Sequence, residues 1–386
     1  ADFDNVIERS PEGLQQYAGI VARMAGAENM PAFHRSAVAA LAEHGVRIAS
    51  SGGMLTTRFT RIADIAREAA FLASERDGEK AVVARGDVEE AVVRTKRRAD
   101  LPSRRFRKHL REGTIHVQTQ GEKVGQVNGL AVIHSGPITY GFPARITATI
   151  GPGNAGIIDI EGRSALSGSI HTKGVQILGG LVRHLLQTDH PLAFSASLAF
   201  EQSYGGIDGD SASGAEICCL LSALSDVPLR QDLSMTGAID QFGRIQAIGG
   251  VNEKIEGFYD TCFDAGLTGT QGVLIPQSNA DDLMLRRDVA EACAEGSFHI
   301  YAVETIHQAL ELFTGMPAGE LDEYDEYPED SLLAIAVGQA LHYWERTLQN
   351  PAQLLAALRQ QQEDEALALE EGEGEEEDEE EIAAEA

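Results

Sequence analysis

The 386-residue sequence has no run of about 18 apolar residues, so no helix able to cross a bilayer is expected. Its first residues, ADFDNVIERSPEG, lack the basic start and apolar core of a secretory signal, which implies a cytoplasmic protein without a membrane partner. Cysteine is scarce. Cys218, Cys219, Cys262 and Cys293 form no C-x-x-C pair, which excludes the usual zinc and redox spacings and leaves small core residues in a reducing compartment. No G-x-x-x-x-G-K-[ST] loop is present, so this chain has no phosphate cradle of that kind. Histidine, the commonest base for an activated serine, is missing between His190 and His299.

Acid, by contrast, is abundant. The net charge is -29, and about half of the excess lies in residues 363–386, which contain no Lys or Arg. Such a block cannot bury apolar surface and is expected to be a disordered acidic tail over 361–386. The opposite sign collects in RTKRRADLPSRRFRKHLR, residues 94–111. With Pro102 interrupting it, this segment reads as a basic linker over 99–113, the alternative being contact with DNA phosphates.

Residues 7–95 carry helical periodicity. Val38, Leu41, Val46 and Ile48 share one face, and Phe59, Ile62, Ile65, Ala66, Ala69 and Leu72 another. A third helix opens near Gly86 or Asp87, and no strand pattern appears, so 1–98 is expected to be all-α. From residue 114 the period changes to that of strands, giving a separate α+β domain over 114–316. Gly151-Pro152-Gly153-Asn154-Ala155-Gly156 fits the dinucleotide fingerprint literally. The strand-like IIDIEGRS follows instead of a helix, so it reads as a hairpin turn. Residues 317–360 are expected to hold a mobile acidic linker and an amphipathic helix with Leu332, Ile335, Leu341 and Trp344 on its apolar side.

The most unusual stretch is DGDSAS, residues 208–213, where a Gly-rich turn delivers Ser211 to the start of a helix. Unpaired backbone N–H groups there can hold an oxyanion, and a serine there can equally be a plain cap. A buried lysine can replace histidine as the base. GGVNEK, residues 249–254, offers one: Asn252 is placed to cap a helix with Lys254 in its first turn. The helix dipole opposes a charge there, although the same pattern suits a surface lysine.

DGDSAS, then MTG at 235–237, then GGVNEK resemble the proteolytic domain of the Lon family of Ser-Lys peptidases, especially its LonB-like branch. Ser211 and Lys254 lie 43 residues apart with MTG between them, in the order that family requires. VGQVNGLAV at 124–132 and LTGTQGVLIPQSNADDL at 267–283 resemble further strands of that domain. MPAFHRSAVAAL, MLTTRFTRIADIAREAA and VARGDVEEAV resemble the helical lid of the family's AAA+ ATPase module.

The resemblance implies that Ser211 is the nucleophile, Lys254 the general base and Thr236 the hydroxyl that orients the lysine. Backbone N–H groups around Ser211, with that of Asp210, would form the oxyanion hole. Asp208 would help shift the site between open and blocked forms. Ala238 stands where some Lon enzymes have an acid. Arg58, with Arg61 as competitor, matches a sensor arginine for ATP phosphate. ATP and Mg²⁺ would be cofactors of the full-length protein, with none bound by this chain alone. The nucleotide core that would precede the lid is not in this sequence, which is expected of a C-terminal piece or of an ATPase-less relative. The family further implies a homo-hexamer acting on unfolded proteins or peptides. The rival readings are an ATP-independent peptidase and a catalytically silent scaffold of the same fold.

Overall fold

The computed structural model describes residues 2–136, 138–348, 355 and 359. The disordered acidic tail expected over 361–386 therefore lies outside the described residues. The N-terminal unit contains β1 (Val6–Glu8), α1 (Pro11–Ala27), β2 (Ala32–Phe33), α2 (Arg35–Ala49), β3 (Met54–Thr56), α3 (Phe59–Asp77), β4 (Val82–Val83) and α4 (Arg85–Ala99). Its core is alanine-rich, with Leu41, Leu55, Ile62, Ala66 and Ala69 buried, so small side chains let α2, α3 and α4 approach closely. The expectation of an all-α unit needs correction. β1 pairs antiparallel with β3, and β2 pairs parallel with β4. These strands are two or three residues long, too short to show a period of two.

The basic linker is also a helix, α5 (Leu101–Arg111). Pro102 sits in its first turn, where a missing N–H costs nothing, so it starts the helix rather than interrupting it. Several cations of the basic segment 94–111 are spent within the chain. Arg98 pairs with Glu68, Arg104 with Asp100, and Arg107 with Asp264 and Asp260.

The second unit follows as β5 (Glu122–Lys123), β6 (Gln126–Ser135), β7 (Ile138–Pro152), β8 (Gly156–Asp159), α6 (Ile160–Arg163), α7 (Ser169–Leu186), β9 (Phe194–Phe200) and α8 (Ser213–Ser225). It continues with β10 (Leu229–Arg230), β11 (Leu233–Met235), β12 (Ala238–Ile239), β13 (Ile245–Gln246), α9 (Val251–Ala265), β14 (Gly272–Pro276), α10 (Arg287–Ala294), β15 (His299–Val303), α11 (Ile306–Thr314) and α12 (Leu332–Leu348). The main sheet, among the described residues, runs β15-β14-β11-β6-β7-β9-β8 and mixes parallel with antiparallel pairs. Alternation along β14 separates its two faces: Leu274 joins the core under α7, α8, α11 and α12, while Val273 and Ile275 join that under α9 and α10. This is the α+β organisation expected.

The glycine turn at 151–156 is not a hairpin. β7 and β8 both pair with β9, one antiparallel and one parallel, so the turn steps across an intervening strand. No helix follows it directly, which removes the dinucleotide reading. The acidic segment before α12 is tied to the domain: Ala318 and Ser331 are buried, and the Tyr327 hydroxyl donates to the Leu185 carbonyl. α12 buries Leu332, Leu333, Ala336 and Ala340, whereas Leu341 is exposed and Trp344 stacks on His190.

Candidate active site

The residues of DGDSAS run from the end of the loop after β9 into the first residue of α8. Gly209 has φ of 100°, a left-handed conformation that a side chain would strain, so the turn into Asp210 requires glycine. Asp208 fastens the outer side of this turn, accepting hydrogen bonds from the backbone N–H of Gly209 at 2.9 Å and of Ile170 at 3.2 Å. It therefore caps the start of α7, and its bonds run to backbone rather than to Lys254. α8 starts at Ser213 with Ala212 as the flanking residue and no side-chain cap. The Ser211 side chain is thus not used as a cap.

Its partner comes from α9. Lys254 is only 2% exposed, and its Nζ donates to Ser211 Oγ at 2.8 Å and to Thr236 Oγ1 at 3.0 Å. The Thr236 hydroxyl donates in turn to the Ser211 carbonyl at 3.1 Å, and the Gly237 N–H donates to the same carbonyl at 2.8 Å. Thr236 directly follows β11, a fully buried strand in the middle of the sheet, so the hydroxyl is held by a rigid element.

The cap of α9 differs from expectation. Gly250 is the flanking residue, while Asn252 lies inside the helix, donating to the Asp282 carbonyl and accepting from Met284 N–H. α9 reaches Ser211 because two glycines face each other. A Cβ on Gly141 of β7 would lie 2.1 Å from the Glu253 carbonyl oxygen, and one on Gly257 would lie 2.1 Å from that of Gly141. Helix and strand backbones are therefore in contact immediately beside Lys254.

That burial has an electrostatic consequence. Removal from water disfavours the ammonium and lowers the Lys254 pKa from 10.5 to about 8, with the charge of Asp210 opposing the shift. A lysine so placed can exchange a proton with Ser211 near neutral pH.

A cavity of about 460 Å³ opens over Ser211 and Lys254, walled on the far side by His44, Arg47, Arg61 and Lys96 of the N-terminal unit. Sequence reasoning missed this wall. Burial, with the charges of Arg47 and Lys96, pushes His44 down to about 4, so it is neutral at pH 7. Arg47 grips the first two turns of α9, bonding Glu253 at 3.0 Å and Glu256 at 2.5 Å. Burial alone would raise Glu256, but Arg47 outweighs it and holds the carboxylate at about 2. Arg61 lines the cavity, whereas Arg58 is exposed and does not.

Two family descriptions match the two units. Residues 32–98 match the AAA+ ATPase lid domain of archaeal LonB, and residues 201–314 match the C-terminal proteolytic domain of Lon protease. The chain belongs to the Lon protease family. This Lon chain is 49% identical over 217 residues to a putative Lon protease homolog of Haemophilus influenzae, covering 56% of the chain and 36% of that protein. It is 44% identical over 214 residues to the putative Lon protease homolog of Escherichia coli, covering 55% of the chain and 36% of that protein. It is 32% identical over 286 residues to the archaeal Lon protease of Thermococcus kodakarensis, covering 73% of the chain and 42% of that protein. The Lon chain thus spans between a third and a half of the length of these relatives. Among its described residues no helix is long and apolar enough to cross a membrane.

Proposed function

We propose that this Lon chain is the lid and proteolytic part of an ATP-dependent serine endopeptidase that uses Ser211 and Lys254 as a dyad. The observation that carries the reading is the 2.8 Å approach of a buried, pKa-depressed lysine to a serine hydroxyl. Neutral Lys254 takes the hydroxyl proton as Ser211 Oγ attacks the scissile carbonyl, and the tetrahedral intermediate expels the amine. Lys254 returns the proton to that amine, leaving an acyl-enzyme. A water activated by the same lysine then releases the acid and restores Ser211. Thr236 accepts one lysine N–H, which leaves the amine lone pair for Ser211. Among the described residues the N–H groups of Asp210 and Ser211 donate to no other protein group, which suits them to the oxyanion.

The whole protein would work as a cytoplasmic homo-hexamer on unfolded proteins. Mg-ATP hydrolysis would supply the work of unfolding and threading. Arg58, exposed at the start of α3, fits a contact to a phosphate of a neighbouring module.

Cleavage of casein and of a fluorogenic peptide by the wild type, Ser211→Ala and Lys254→Ala tests the dyad, in a form carrying an ATPase core where the chain alone is silent. Loss of cleavage in both folded variants is expected. Undiminished cleavage by Ser211→Ala, or a silent wild type even with the core, would leave the scaffold reading in place.

A further inference from the structure

Behind α8, away from the cavity, four ionisable side chains meet that the peptidase chemistry does not use. Asp159 ends β8, Glu161 follows in α6, His171 lies in α7 and Glu216 in the first turn of α8. Ligand atoms of Asp159, Glu161 and His171 all lie within 4.8 Å of one another. His171 Nε2 is 3.6 Å from Asp159 Oδ1 and 4.0 Å from Glu216 Oε1. Among the described residues no lysine or arginine pairs with these carboxylates.

The imidazole points to a ligand. His171 is 2% exposed, yet its Nε2 has no hydrogen-bond partner, and neither has the buried Asp159 Oδ2 beside it. Buried polar atoms without partners are uncommon, because each left alone keeps its full desolvation cost. Glu161 Oε1 is held by the Phe200 N–H at 2.9 Å, which fixes the carboxylate while leaving its second oxygen open. Three acids crowded around a buried imidazole repel one another, and a divalent ion would remove the repulsion and satisfy both orphaned atoms.

We infer that Asp159, Glu161, His171 and Glu216 form a binding site for a first-row divalent cation of the Zn²⁺ or Mn²⁺ kind. Imidazole with carboxylates suits these ions. Mg²⁺ keeps several waters, for which a cluster with Glu161, His171 and Glu216 buried is a poor host. Donor atoms around such ions sit about 3–4 Å apart, so small side-chain rotations close the set. The bound ion joins β8, α6 and α7 to α8, the helix that opens two residues after Ser211. It is a structural brace on the scaffold of the nucleophile turn, and it does not depend on the dyad being active.

The test uses the full chain with Ser211→Ala, so that cleavage plays no part. The protein is stripped with chelator and titrated with Zn²⁺ or Mn²⁺, reading bound metal by mass spectrometry and the Tm by calorimetry. One ion per chain and a Tm rise of several degrees are expected, with Mg²⁺ at least about tenfold weaker. His171→Gln and, separately, the near-isosteric Glu216→Gln should each abolish the Tm response. The acidic residues of 363–386 bind cations loosely and do not respond to these substitutions. Binding that is equal in the wild type and both variants, or no Tm rise with up to about 1 mM ion, would overturn the inference.

Discussion

Under the proposed dyad, the base strength of Lys254 fixes how cleavage should respond to pH. Burial lowers its pKa from 10.5 to about 8. At about pH 7.5 a lysine with that pKa is neutral in roughly a quarter of molecules, against about one in a thousand for an ordinary lysine, so burial multiplies the competent form about 200-fold. The same shift costs the fold on the order of 3 kcal/mol at neutral pH. Between about pH 8 and pH 10.5 the unfolded chain holds a proton that the folded chain has lost, so stability should rise with pH through that window. Initial rates of cleavage of a fluorogenic peptide, measured from about pH 6 to pH 10, should rise along a single limb with a midpoint near 8 and then level off. Urea unfolding of Lys254→Met at neutral pH should show a chain at least as stable as the wild type, because a costly buried charge has gone. A limb centred near 10.5, or a flat profile with Lys254→Met as active as the wild type, would refute the argument that dryness makes this lysine a base.

Thr236→Val keeps the shape but removes the oxygen 3.0 Å from Lys254 Nζ, so kcat should fall about tenfold to a hundredfold with KM little changed, as steady-state kinetics would show. Arg47→Met leaves Glu256 buried beside Glu253 without its main partner. Chemical denaturation at neutral pH should report a loss of about 3 kcal/mol, and the gap to the wild type should close as pH falls from about 4.5 through about 2, where Glu256 protonates in the wild type too. Gly141→Ala pushes a methyl into the backbone of α9 at Glu253. Thermal unfolding should record a loss of about 1–3 kcal/mol, and peptide cleavage should drop by about a hundredfold because Lys254 is displaced.

Ser211, Thr236 and Lys254 were legible in the sequence because each sits in a short motif whose glycines and hydroxyls serve local backbone needs. The roles proposed for them rest on the resemblance of those motifs to the Lon family. Long helices and strands were legible for a similar reason: α3 and α7 repeat their apolar residues at the spacing of one face, and β9 alternates buried and half-buried positions over seven residues. What failed were readings that a local rule permits and a distant contact overrules. Asn252 is a good cap residue, but the Asp282 carbonyl and the Met284 N–H claim both ends of its amide. Pro102 suggested a break until its place in the first turn of α5 was known. The grip of Arg47 on Glu256 spans 209 residues of chain, and no periodicity marks an arginine as the partner of a carboxylate that far away.

The same limit explains why the strength of the base could not be read from GGVNEK. A lysine in the first turn of a helix is ordinarily solvated, and the dipole by itself moves it little. The large shift needs the Lys254 stem to be sealed from water, and that requires α9 to lie directly on β7. Gly141 and Gly257 permit the contact, because any side chain at either position would separate the backbones. Separation would admit water to the amine and return its pKa toward 10.5, so the proposed nucleophile would lose its proposed base even with Ser211, Thr236 and Lys254 all in place. Two residues with no side chain, 116 positions apart in the sequence, thereby set the chemistry of a third.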